Sequence, residues 1–216
     1  MGQTSSMATN HAQRERSGLC DLFDELGSDA PTLCEGWTAA DLAAHLVVRE
    51  RRPDAALGIL AAPFERHGDK VRDDYAARPF DQLVESVRSG PPTLSAFGIP
   101  GVDRMANTME YFIHFEDLRR ANGKGPRALD PGFEDQLWDI LRRMSKMMLR
   151  KSPAGITLAT PDGRRAVART GDDMVTITGD VGELALFAYG RKDAAEVELS
   201  GPDGAVEAVR AASFGI

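Results

Sequence analysis

"EYFIHFEDLRR", residues 110–120, decides how this chain is read. In a helix, residues four apart leave the same face one turn apart, so Glu110 and His114 stand together. A carboxylate and an imidazole in that relation are either part of a metal site or a polar face that includes a histidine. The choice depends on whether another element supplies a third ligand.

The segments before it read as helices. "RERSGLCDLFDELG" places Leu19, Leu22, Phe23 and Leu26 at i, i+3, i+4 and i+7, with Gly27 as a stop. "TLCEGWTAADLAAHLVVRERR" carries a helix start, in which Thr38 caps and Asp41 takes the capping-box position. Leu42, His45, Leu46 and Arg49 then share one face. Pro53 forces a break, and "RPDAALGILAAPF" reads as a short helix ended by Pro63. "PFDQLVESVRSG" is a further helix between Pro79 and Gly90. The Pro/Gly-rich loop 90–101 leads to a long helix over roughly 102–122, with Met105, Met109, Phe112 and Leu118 as core candidates. "DPGFEDQLWDILRRMSKMMLRK" predicts an amphipathic helix over 131–150.

Near "KSPAG" the period changes. Residues 156–178 alternate, with "PDG" and "GDD" as turns. A helix capped by Asp180, the strand "AEVELSG" and the helix "DGAVEAVRAA" follow. The expected organisation is a disordered extension over 1–9, a helical bundle over 10–152 and a small α+β domain over 153–216.

The third ligand has to come from four histidines. His11 lies in the loose N-terminal extension, and His67 in "FERHGDK", an exposed loop by composition. His45 sits in the apolar run "DLAAHLVV", where a buried imidazole must find a partner. Two imidazoles and one carboxylate on facing helices leave coordination positions open, the pattern of catalytic zinc in a bundle. On the residues alone, a lone buried histidine is more often a core residue satisfied by a backbone carbonyl. Asp117, three residues after His114, suits an orienting partner behind the ligand. Glu116, Arg119 and Arg120 read as solvated or salt-bridged. Cys34 reads as a small buried hydrophobe, with a thiol facing the pocket as the other reading. Trp37 reads as a core anchor beside the His45 helix.

Charge excludes some classes. The net charge is −7, with −4 over residues 1–150 and −3 over 151–216, counting Lys and Arg against Asp and Glu. Neither part offers the basic face of a nucleic-acid binder. No apolar run approaches the roughly 20 residues of a membrane span. The polar N-terminus lacks the apolar core of a secretory signal, and the second Met at position 7 suggests an alternative start. Cys20 and Cys34 lack CxxC spacing, so reduced thiols in a cytoplasm are expected.

"PTLCEGWTAADLAAHLVVRERRPDAALGI" and "EYFIHFEDLRRA" resemble the DinB/YfiT-like metal-binding family, and within it the actinobacterial proteins related to mycothiol-dependent maleylpyruvate isomerase. "GDVGELALFAYGRKDAAEVELSGPDGAV" resembles the small C-terminal domain of the isomerase group. The resemblance implies a mainly α protein, an antiparallel four-helix bundle followed by a small α/β domain. It implies a divalent metal on His45, Glu110 and His114, zinc first, with nickel, iron or manganese also accepted by such donors. It implies mycothiol as cosubstrate, a small electrophile as substrate, and a thiol transferase or isomerase activity. Arg191, in "FAYGRK", is the position matched to an arginine that binds acidic substrate; the other reading is a surface arginine complementing a helix end. Loop 90–101 departs from the isomerase pattern. Two further functions stay open: a non-catalytic metal-containing binding module, and a structural metal closed by Asp41 or Asp117. A monomer or a homodimer is expected.

Overall fold

A computed structural model describes residues 10–52, 65–91 and 107–215, with the side chains of 65–69 left outside the description. The chain forms two compact units, Met1–Asn122 and Gly123–Ile216. The expected short helix before Pro63, the loop 92–101, the segment 102–106 with Met105, and residues 1–9 lie outside the described residues.

The first unit is the helical bundle the periodicity predicts. Its described helices are α1 (His11–Leu26), α2 (Ala39–Arg51), α3 (Glu65–Ala76), α4 (Phe80–Arg88) and α5 (Thr108–Ala121). Helix α1 ends at Gly27, whose φ of 81° suits glycine alone. Helix α2 starts at the predicted capping box. Thr38 Oγ1 accepts from the Asp41 N–H, and Asp41 Oδ2 accepts from the Thr38 N–H at 2.9 Å. Leu19, Cys20, Phe23, Leu42, Leu46, Leu83, Tyr111 and Leu118 are fully or almost fully buried in one core. A buried ion pair crosses that core. Arg16 meets Glu50 at 2.5 Å, and the Tyr111 hydroxyl donates to the same Glu50 oxygen at 2.7 Å. Helices α1, α2 and α5 are thereby joined through polar groups as well as apolar ones, which holds α2 and α5 in register.

Two histidine expectations change. His11 is the first residue of α1 and is buried, because the helix begins where Asn10 caps it. His67 lies within α3 rather than in a loop, since "ERHGDKVRDDYA" continues unbroken as helix despite its polarity.

The second unit combines α6 (Pro131–Met148), β1 (Gly155–Ala159), β2 (Arg165–Arg169), β3 (Met174–Thr178), α7 (Val181–Ala188), β4 (Glu198–Ser200) and α8 (Asp203–Ala211). The order β-β-β-α-β-α is as predicted. The unit begins at Gly123, upstream of the expected boundary at 152, because α6 packs against α7 and β2. The sheet order is β2-β1-β3-β4. Strands β1 and β2 pair antiparallel across the "PDG" turn, but the "GDD" turn does not pair β2 with β3. Strand β3 lies on the other side of β1 and runs parallel to it. The connection has to cross the start of β1, and glycine permits the approach. A Cβ on Gly171 would lie 2.8 Å from the Gly155 nitrogen, and one on Gly155 2.9 Å from the Gly171 nitrogen. Strand β1, one of the two interior strands, is buried at all five positions instead of alternating. Among the described residues, no helix is long and apolar enough to cross a membrane.

Candidate metal centre

Helices α2 and α5 each present one face to the interior of the first unit. His45 and Arg49 are one turn apart on α2, and Glu110 and His114 one turn apart on α5. Across the gap His45 Nε2 lies 3.2 Å from Glu110 Oε1, and His114 Nε2 lies 3.3 Å from the same oxygen. The two imidazole centroids are 5.2 Å apart. These spacings suit a shared ion. Ligands about 2.1 Å from a tetrahedral centre stand about 3.4 Å from one another. The Glu110 side chain keeps 22% exposure and that of His45 12%, so a small ligand can reach the donors.

Behind His114 stands Asp117. Its Oδ2 accepts the His114 Nδ1–H at 2.9 Å, which leaves Nε2 for the side facing Glu110 and His45. The loop before α2 completes this second layer. Leu33 N–H donates to Asp117 O at 3.2 Å, Thr32 Oγ1 donates to Trp37 O at 3.0 Å, and Asn122 Nδ2 donates to Pro31 O at 2.9 Å. Pinned in this way, Cys34 brings its thiol 3.3 Å from Asp117 Oδ2. It is therefore half-buried beside the candidate ligands and not a core hydrophobe, as a loop 83 residues away in sequence is folded onto α5. Cys34, His114 and Asp117 form a second group of donors with atoms close enough to share an ion, and it shares His114 with the first.

Trp37 packs against the core, as its anchor reading expects, and also lies on the site. Its ring is 5.2 Å from that of His45 and carries the Arg72 guanidinium 4.9 Å from its centroid. Glu116 is buried and paired with both Arg119, at 3.2 Å, and Arg120, at 2.8 Å. The two carboxylates considered as closing ligands have other tasks. Asp41 holds the helix cap, and Asp117 holds His114 from its far ring nitrogen.

The charges follow from burial and pairing. Burial pushes the His45 imidazole below its ordinary value, against its hydrogen bond with Glu110. Burial would also lower His114, but its bonds with Asp117, Cys34 and Glu110 outweigh this and hold it well above the ordinary imidazole range. Burial would raise Glu110; the Arg49 guanidinium and the two histidines overcome it and hold the carboxyl well below the usual carboxylate range. Arg49, whose Nε stands 3.3 Å from Glu110 Oε1, is the residue that sequence reasoning missed. Its position one turn after His45 was the available signal.

Arg191 belongs to the second unit, just beyond α7. Its Nη1 donates to Tyr189 O at 2.6 Å, a helix-end contact of the kind its alternative reading describes.

Residues 10–110 match the family model described as "Mycothiol maleylpyruvate isomerase N-terminal domain", a similarity consistent with a DinB-like bundle. The fold is also that of a solved mycothiol-dependent maleylpyruvate isomerase. The two are 16% identical, with 88% of this chain and 90% of the other covered at a TM-score of 0.59. A mutant of that isomerase with one histidine replaced by alanine gives 20% identity over the same shares at 0.57. No curated protein matches the chain.

Proposed function

We propose that this chain holds one divalent cation on His45, Glu110 and His114 and uses it, with mycothiol, to isomerise a small electrophile or transfer the thiol onto it. The observation that carries the reading is the convergence of His45 Nε2, Glu110 Oε1 and His114 Nε2 at 3.2–3.3 Å, with Asp117 behind His114. The donor set of two imidazoles and one carboxylate suits zinc, and would also accept nickel, iron or manganese. The domain family supports mycothiol as the thiol.

A bound divalent cation would lower the pKa of a thiol and keep its sulfur anionic at neutral pH. The chain's own residues do the rest. Asp117 fixes the tautomer and angle of His114. Trp37 sets its ring against that of His45 at a tilt and packs beside the donors. In an isomerisation the thiolate adds to one carbon of a cis double bond conjugated to a carbonyl, the π pair moves onto that carbonyl as an enolate, the former double bond rotates as a single bond, and expulsion of the thiolate re-forms the double bond in the trans geometry. Arg191 enters this reading as the group that recognises an acidic substrate. Its replacement by alanine is expected to raise KM for such a substrate while leaving metal content unchanged.

The test is metal content by mass spectrometry on protein purified without chelator, wild type beside His45→Ala and His114→Ala. Mycothiol is then titrated into the zinc-loaded wild type by calorimetry. About one equivalent of metal, lost in both variants, with mycothiol binding only to the loaded form, is the expected result. Folded wild type that takes up no metal overturns the metal site. Loaded protein indifferent to mycothiol overturns the thiol chemistry.

A further inference from the structure

Glu110 Oε1 is approached by three nitrogens. Two are the imidazole atoms His45 Nε2, at 3.2 Å, and His114 Nε2, at 3.3 Å. The third is Arg49 Nε, also at 3.3 Å. The imidazoles are the groups that would share the carboxylate with an ion. The guanidinium is a cation of the chain itself, and it stays charged at every accessible pH.

Arg49 is held in this position from both sides. It follows His45 by one turn, so the backbone of α2 aims it at the same face. Its Nη1 donates to Asn107 Oδ1 at 2.5 Å, and Asn107 is fully buried at the start of α5, three residues before Glu110. The Arg49 side chain keeps only 9% exposure. A charge this far from water needs an opposite charge beside it, and Glu110 supplies one.

We infer that Arg49 stands in for the charge of the ion on Glu110: it keeps the donor set assembled when no metal is bound, and it competes with the metal for Glu110 Oε1, so that it loosens metal binding. The inference rests on the metal reading of the site. Its direction is what distinguishes it. A guanidinium that merely supported a ligating carboxylate would, on removal, weaken metal binding. A guanidinium that competes leaves, on removal, a site one charge more negative, to which a dication binds more tightly. The same removal strands a part-buried carboxylate in the metal-free protein, which then loses more stability than the loaded one.

The experiment measures zinc affinity by competition with a chromophoric chelator, and melting temperature with and without zinc, for wild type, Arg49→Met, Arg49→Gln and Arg49→Lys. Gln retains a polar partner for Asn107 if Met compromises folding, and Lys retains the charge. The neutral variants are expected to bind zinc about tenfold or more tightly than wild type, with Lys close to wild type. Their metal-free forms are expected to lose several degrees more in melting temperature than their zinc-loaded forms. Folded neutral variants that bind zinc equally or more weakly overturn the inference and leave the metal site standing. A wild type that binds no zinc overturns the site itself, and the inference with it.

Discussion

His114 gives its Nδ1–H to Asp117 Oδ2 at 2.9 Å, and that bond decides which ring nitrogen faces Glu110. An ionised carboxylate only accepts, so the proton stays on Nδ1 and the lone pair of the neutral ring is on Nε2. Asp117→Asn offers an amide that can donate instead, and the tautomer is then no longer held. Metal affinity is expected to fall about 10- to 100-fold with the circular dichroism spectrum unchanged. Isothermal titration with zinc checks this, and unchanged affinity would remove Asp117 from the site's second layer.

The metal-free protein should lose stability as pH rises from neutrality, in part through His114. Its folded pKa lies well above the unfolded value of about 6.5, so the folded state binds more protons in the interval between them. The His114 contribution is fully present below about pH 6.5 and disappears as pH rises through the folded pKa. His45 has the opposite sign: its lowered pKa contributes stability above about 6.5 that is lost as pH falls. Urea midpoints between pH 6 and 9 with chelator present should decline in wild type and decline less in His114→Gln. An identical decline in both would refute the assignment.

The two cysteines should differ in reactivity. Cys20 has no exposed surface, and burial pushes its thiol up to about 12. Cys34 is half-buried near the surface of the site. A chromogenic disulfide reagent at pH 8 is expected to titrate one thiol in the native protein and two after denaturation. Cys34→Ser should abolish the native reaction; a native signal that survived this substitution would contradict the placement of both residues.

The capping box of α2 aims the helix that carries His45. Thr38→Ala removes the hydroxyl that accepts from the Asp41 N–H and leaves the Asp41 carboxylate only the backbone N–H of residue 38 from the box. A loss of about 1 kcal/mol in unfolding free energy is expected. Chemical denaturation measures it, and a change below a few tenths would show that the box contributes little.

Several elements were legible because their signals are local. The i, i+3, i+4, i+7 spacing of Leu19, Leu22, Phe23 and Leu26 marks α1 and its inward face, and all but Leu26 are fully buried. Thr38 and Asp41 mark the start of α2 within four residues. Residues with no local signal behave differently. Cys34 reads as apolar until the loop before α2 is folded onto α5 and meets Asp117. The "GDD" segment reads as a local turn, yet the strand after it pairs with β1 and not with β2. Helix α6 carries the same periodicity as the bundle helices, and only its packing against α7 and β2 puts it with the sheet.

By itself, then, the sequence determined most of the described helices and strands (α3 excepted), where α2 begins, and that Glu110 and His114 share one face, because each depends on neighbours within a turn or two. Tertiary structure decided that His45 meets them across the bundle, that Arg49 reaches the same carboxylate oxygen, and that Cys34 lies beside Asp117. Those contacts join residues 61 to 83 positions apart. No local spacing encodes such a separation; it follows from how buried faces of different helices pack together.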